Sequence, residues 1–128
     1  MDKTTNSLNW FEIPASDINR AKKFYENIFD LKMMDMPEMP GIKMVSFPAD
    51  AKSGKANGCL AYSNNHKPSM DGVIIYLNAN PKIQEVIDRI DKAGGKMLMP
   101  KTHIGEGIGY MAFFMDTEGN KLGLHANG

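Results

Sequence analysis

At 128 residues the chain suits one domain, large enough to bury a core without disulfides or a structural metal. Fifteen Lys and Arg against fifteen Asp and Glu leave no formal charge, which removes the electrostatic case for nucleic acid or an anionic membrane. The single Cys59 cannot pair within the chain and suits a reducing compartment, no apolar run nears the ~20 residues of a membrane span, and the first seven residues are too polar for a signal sequence, so a cytoplasmic protein is expected.

The stretch LNWFEIPA, 8–15, reads as a strand in which Trp10 and Glu12 alternate with Phe11 and Ile13. SDINRAKKFYENIF follows, with Ile18, Ala21, Tyr25, Ile28 and Phe29 at helical spacing and Ser16 or Asp17 as the N-cap. Three short strands are expected next, at 31–36, 42–47 and 58–63, parted by Pro37, Pro40 and Gly41 and then by PADAKSGKAN. The polar, turn-rich NNHKPSMDG, 64–72, reads as a linker. Beyond it VIIYLNA, 73–79, is an apolar strand, and NPKIQEVIDRIDKAGG predicts a helix capped by Asn80, with Pro81 in its first turn and Gly94–Gly95 as its stop. Strands are expected again at 96–100, 110–115 and 121–125, the last two joined by the turn DTEGN.

The pattern is strand, helix and three strands, used twice. Sliding the first half by 65 places Ile18 on Ile83, Ala21 on Val86, Tyr25 on Ile90 and Trp10 on Ile75. We therefore expect an α+β fold in one domain over 1–128, with module one at about 8–63 and module two at about 73–125.

Three stretches carry a family likeness: NWFEIPASDINRAKKFYENIFDL, YLNANPKIQEVIDRIDKAGGKMLMPK and GYMAFFMDTEGNKLGLH. With the doubled βαβββ pattern they resemble the vicinal oxygen chelate superfamily of glyoxalase I, bleomycin-resistance and extradiol dioxygenase proteins, most closely its small glyoxalase-like bacterial members. The resemblance implies two sheets curved into an incomplete barrel with the helices outside, and commonly a homodimer. In the enzymes it implies a divalent metal held by His or Glu from the first and last strands of each module, acting as a Lewis acid. Here the implied ligand positions fall at Trp10, at Cys59 or Leu60, within Val73–Ile75, and at Gly123. None is His, Asp or Glu, so a metal cofactor is disfavoured.

The period of two of a strand puts Glu12 beside Trp10 and His125 beside Gly123 on the inward face. Glu12 and His125 are thus the candidate catalytic pair for acid–base chemistry, with a Glu12 pKa raised by burial as one expectation. Trp10, Tyr62, Tyr76, Tyr110 and Gly123 are candidate ligand-pocket residues. His66 and His103 read as surface residues, Cys59 as a small buried hydrophobe, and the many methionines as core filler or an adaptable pocket wall. The glycine-rich GEGIG, 105–109, does not open a helix, which argues against a phosphate loop and for a loop over a pocket rim. The expected function is metal-independent binding of a small organic molecule in an apolar pocket. The alternative is a lyase or dioxygenase-type enzyme using Glu12 and His125 as acid–base residues or as unusual metal ligands.

Overall fold

A computed structural model describes residues 1–128. The first half is β1 (Trp10–Pro14), α1 (Ile18–Phe29), β2 (Met34–Asp35), β3 (Lys43–Ser46) and β4 (Asn57–Tyr62). The second is β5 (Tyr76–Asn78), α2 (Ile83–Ile90), β6 (Lys96–Gly105), β7 (Gly109–Met115) and β8 (Lys121–Ala126). Each half builds a four-stranded mixed sheet, in the orders β1-β4-β3-β2 and β5-β8-β7-β6, and neither sheet closes. In both, the first strand runs parallel to the last and the rest pair antiparallel. The α+β reading as two βαβββ modules is what the structure shows.

The α1 helix buries Ala21, Phe24, Tyr25 and Ile28, a spacing that makes one face of a 3.6-residue period. Asp17 caps it by accepting from the Arg20 amide at 3.0 Å. Asp30 closes it in the left-handed region at φ 50°, its N–H bonded to the Glu26 carbonyl. The second helix buries Ile83, Val86 and Ile90. Each such large apolar side chain contributes roughly 2 kcal/mol by leaving water. The two helices adjoin: Arg89 Nη1 donates to the Ile28 carbonyl at 3.2 Å, and Phe24 sits 6.1 Å from Phe114 of the second sheet.

Several boundaries differ from those expected. Asn80 is not the N-cap; α2 begins two residues later behind Lys82, which gives no side-chain cap. The Asn80 side chain instead donates to Asn78 Oδ1 at 2.8 Å and accepts from the Asn127 amide at 2.7 Å. Strand β6 runs on to Gly105 through three irregularities, so residues 105–109 form a hairpin turn between β6 and β7. The repeat also has two offsets. The buried strand residues Ile13, Ala15 and Leu60 match the buried Leu77, Ala79 and Leu124, so the strands superpose at 64, whereas the buried helix positions keep 65. Trp10 therefore corresponds to Ile74, not Ile75.

The DTEGN turn between β7 and β8 joins the modules. The buried Asp116 carboxylate accepts from Tyr25 Oη at 2.7 Å, from Asn120 Nδ2 at 3.0 Å, and from the amides of Glu118 and Asn120, both at 2.9 Å. Burial, then the negative charge of Asp116, pushes the Tyr25 phenol well above its usual range. Asn120 Nδ2 also donates to the Pro14 carbonyl at 2.7 Å, and Asn120 Oδ1 accepts from the Ser69 amide at 3.1 Å. Glu118 receives Arg20 through Nε at 2.7 Å and Nη2 at 3.0 Å, and the Asp17 amide at 2.7 Å. Burial raises the Glu118 pKa, but these donors outweigh it and the carboxyl titrates below its ordinary range.

Tyr25→Phe should cost about 1–2 kcal/mol and Asp116→Ala about 3 kcal/mol, since the latter orphans several buried donors. Urea unfolding checks both. Because the folded Glu118 carboxyl titrates lower than the unfolded one, its stabilisation is complete above the ordinary glutamate range and is lost as pH falls through the folded value. Glu118→Gln should therefore lower stability at neutral pH and make its decline between pH 5 and pH 3 shallower, measured by unfolding at each pH.

Candidate functional site

Ile13 and Ala15 lie buried in the core with α1, so Trp10, Glu12 and Pro14 occupy the face of the first sheet turned away from the helix. Register pairs Glu12 with Cys59, which shares that face. The Glu12 carboxylate is tied on both oxygens. Oε2 accepts from Trp10 Nε1 at 3.2 Å, and Oε1 lies 2.8 Å from His66 Nε2. The other imidazole nitrogen, Nδ1, is 2.6 Å from Ser63 Oγ. The hydroxyl oxygen in turn accepts from the Asn65 amide at 3.0 Å.

Proton positions follow from this chain. An ionised carboxylate only accepts, so His66 Nε2 must carry the hydrogen in that bond. In the neutral ring Nδ1 is then a bare acceptor, and Ser63 O–H points at it. The His66 bond is the main cause holding Glu12 below the usual carboxylate range; desolvation opposes it and Trp10 assists. The expectation of a Glu12 pKa raised by burial is thereby corrected: the side chain is 38% exposed and well supplied with donors. Burial, and secondly the Glu12 charge, pushes the Cys59 thiol up to about 12, which keeps it protonated and inert.

Beside Glu12 is a hollow of about 200 Å³ between β1, the linker and β8, whose lining includes Pro14, Lys67, Ser69, Asp71 and Lys121. Neither lysine is ion-paired. Lys121 Nζ lies 4.7 Å from the centre of the Phe113 ring.

The expected pairing of Glu12 with His125 does not form. His125 does lie on the helix-free face of its sheet, opposite Asn78 and Met111, but its Nε2 is 2.8 Å from the Ile108 carbonyl at the β6–β7 hairpin. A Glu–His pair does form, with His66, whose side chain is 19% exposed and far from a free surface group. Sequence reading missed His66 and Ser63 because the acid they serve is 54 residues from the histidine. The available signal was the Ser63–His66 spacing of three in a turn that ends a strand. His103 is exposed and packs against Tyr110, the ring centroids 5.2 Å apart and the planes inclined at 59°.

The five expected pocket residues do not line one cavity. Tyr76 and Gly123 are cross-strand partners, with the Tyr76 ring so close that a Cβ on Gly123 would lie 2.5 Å from it. Trp10 is bound to Glu12 on the other sheet. Tyr62 borders a separate groove with residues 38–43, and Tyr110 lies beneath Lys101 and His103. An apolar hollow of about 310 Å³ exists elsewhere, between Phe11, Phe29, Phe47 and β5, and takes only Tyr76 from that set. Among the methionines Met33 is buried in the core and Met97 packs against it, while Met36, Met44, Met99, Met111 and Met115 are half-buried.

Comparison with known proteins places this geometry. The model of the glyoxalase/bleomycin resistance protein/dioxygenase superfamily matches residues 7–124. The chain belongs to that superfamily. It is 31% identical over 115 residues to a glyoxylase-like domain-containing protein of Didymella fabae, covering 88% of each chain. It is 29% identical over 117 residues to putative glyoxylase CFP32 of Mycobacterium tuberculosis, of which it spans 44%. Among solved structures, glyoxalase I of Zea mays matches at TM-score 0.71 and 17% identity over 92% of this chain and 43% of that one. A glyoxalase/bleomycin resistance protein of Streptomyces sp. CB03234 matches at 0.67 and 22%, over 93% and 99%. At these identities the structures establish the superfamily fold.

Trp10 is the only tryptophan and donates directly to Glu12, so its emission reports that carboxylate. Its fluorescence should titrate with a midpoint below the ordinary glutamate range. His66→Asn should move that midpoint upward, because the largest cause of the shift is removed.

Proposed function

We propose that this superfamily member binds a small polar organic molecule in the hollow beside Glu12, without a resident metal. The supporting observation is the state of Glu12. It is the one carboxylate on the β1 face, and both of its oxygens are engaged by Trp10 and His66. A cation there would have to displace two hydrogen bonds and then find further ligands. No group of three or more His, Cys, Asp or Glu side chains is placed to supply them. At Gly123, where the family resemblance puts a carboxylate, the Tyr76 ring fills the space that such a side chain would enter. These features support a reading in which the site holds no divalent cation.

The hollow carries charges of both signs: Glu12 and Asp71 against Lys67 and Lys121. That mixture suits a ligand with an acidic group for the lysines and hydrogen-bond donors for the carboxylates. Its volume of about 200 Å³ limits the ligand to a small metabolite. Ile13, Val73, Ile75 and Leu122 supply apolar wall.

Protein purified from cells without chelator should carry less than about 0.1 equivalents of Zn, Ni, Fe or Mn by elemental analysis. Near-stoichiometric metal that disappears in Glu12→Gln would refute this reading. In parallel, small hydroxy and amino acids screened against Trp10 fluorescence should give saturable changes that Lys67→Ala weakens about tenfold; no response from any compound would count against the hollow as a binding site.

A further inference from the structure

The chain Ser63–His66–Glu12 has a direction, and that direction matters chemically. Glu12 accepts the Nε2–H hydrogen bond of His66, Nδ1 is left bare, and the Ser63 hydroxyl lies 2.6 Å from it. A nucleophile, a base and a group that orients the base are thus hydrogen-bonded in series. Each link has its own support. Glu12 is fixed on β1 by strand pairing and by the Trp10 indole. His66 is fixed by its amide, which donates to the Ser63 carbonyl at 3.2 Å. Ser63 is half-exposed at the end of β4, where a reagent can reach it.

We propose that Ser63 is a nucleophile for acyl transfer from small carboxylic esters or thioesters, with His66 as its general base and Glu12 as the positioning residue. In the first step Ser63 Oγ bonds to the carbonyl carbon as its proton passes to His66 Nδ1. The bond from carbon to the leaving oxygen or sulfur then breaks, and that atom departs with the proton from Nδ1. Water next attacks the acyl-serine carbon, giving its proton to Nδ1, and the carbon–Oγ bond breaks as Oγ recovers a proton. One ester and one water yield one acid and one alcohol, with no oxidant or reductant. The proposal rests on the Glu12–His66–Ser63 geometry and not on the identity of any ligand of the hollow.

The test uses the full chain with a fluorophosphonate probe and with p-nitrophenyl acetate. The probe should form one covalent adduct per chain, mapped by peptide mass spectrometry to Ser63 and absent in Ser63→Ala. p-Nitrophenyl acetate should give a burst of about one equivalent. His66→Gln and Glu12→Gln should each slow the acylation rate at least about 100-fold, with near-UV circular dichroism showing that both variants remain folded. The pH–rate profile should lose its imidazole limb in His66→Gln, which a merely structural histidine would not cause. No adduct at millimolar probe, an adduct on another residue, or a rate indifferent to His66→Gln would overturn the proposal, as would a variant that unfolds while Ser63→Ala, folded, still takes the label.

Discussion

The buried carboxylate of Asp116 is the constraint on which the arrangement of the two modules depends. A charge this deep is costly unless every lone pair is used. Here they are used by groups from both modules: the Tyr25 phenol of α1, and the amide, side chain and neighbouring amide of its own turn. The consequence reaches the site through Asn120. Its side chain bonds the Pro14 carbonyl, two residues from Glu12, and the Ser69 amide, three residues from His66. The turn that joins the modules thus also sets the strand carrying the acid and the linker carrying the imidazole.

From this frame the chemistry of the β1 face follows. In the superfamily resemblance the equivalent strands present metal ligands; here the face presents an indole, a carboxylate and, across the strand, a thiol. The carboxylate has protein partners for both oxygens. The thiol beneath is held protonated by burial and by that same charge. On the second sheet the Tyr76 ring covers Gly123 and fills the space that a side chain there would enter.

Much of this was legible in the sequence, and the remainder was not for specific reasons. The helices were readable because α1 and α2 each bury residues at a single period, and the doubled module because those buried positions recur. The offset of 65 fitted the helices and misplaced the strands by one. A helix tolerates such a slip along its face, whereas a strand changes face with every residue. Asn80 looked like a cap from its neighbours Pro81 and Ile83, but its amide was claimed by Asn78 and by Asn127 at the far end of the chain. His125 was placed on the correct face, yet facing direction does not name a partner, and the hairpin carbonyl of Ile108 took it. His66 was hidden by its setting in a polar linker, where only the long-range contact with Glu12 gives it a role.

The central claim is that Glu12 holds His66 in one tautomer, with the proton on Nε2 and the lone pair on Nδ1 turned to Ser63. Long-range proton–nitrogen correlation spectra of the His66 ring measure this directly. The account predicts a pyrrole-type shift for Nε2 and a pyridine-type shift for Nδ1 at neutral pH, both unchanged by one equivalent of Zn²⁺. Averaged tautomers, a proton on Nδ1, or a ring that takes up the added metal would contradict it.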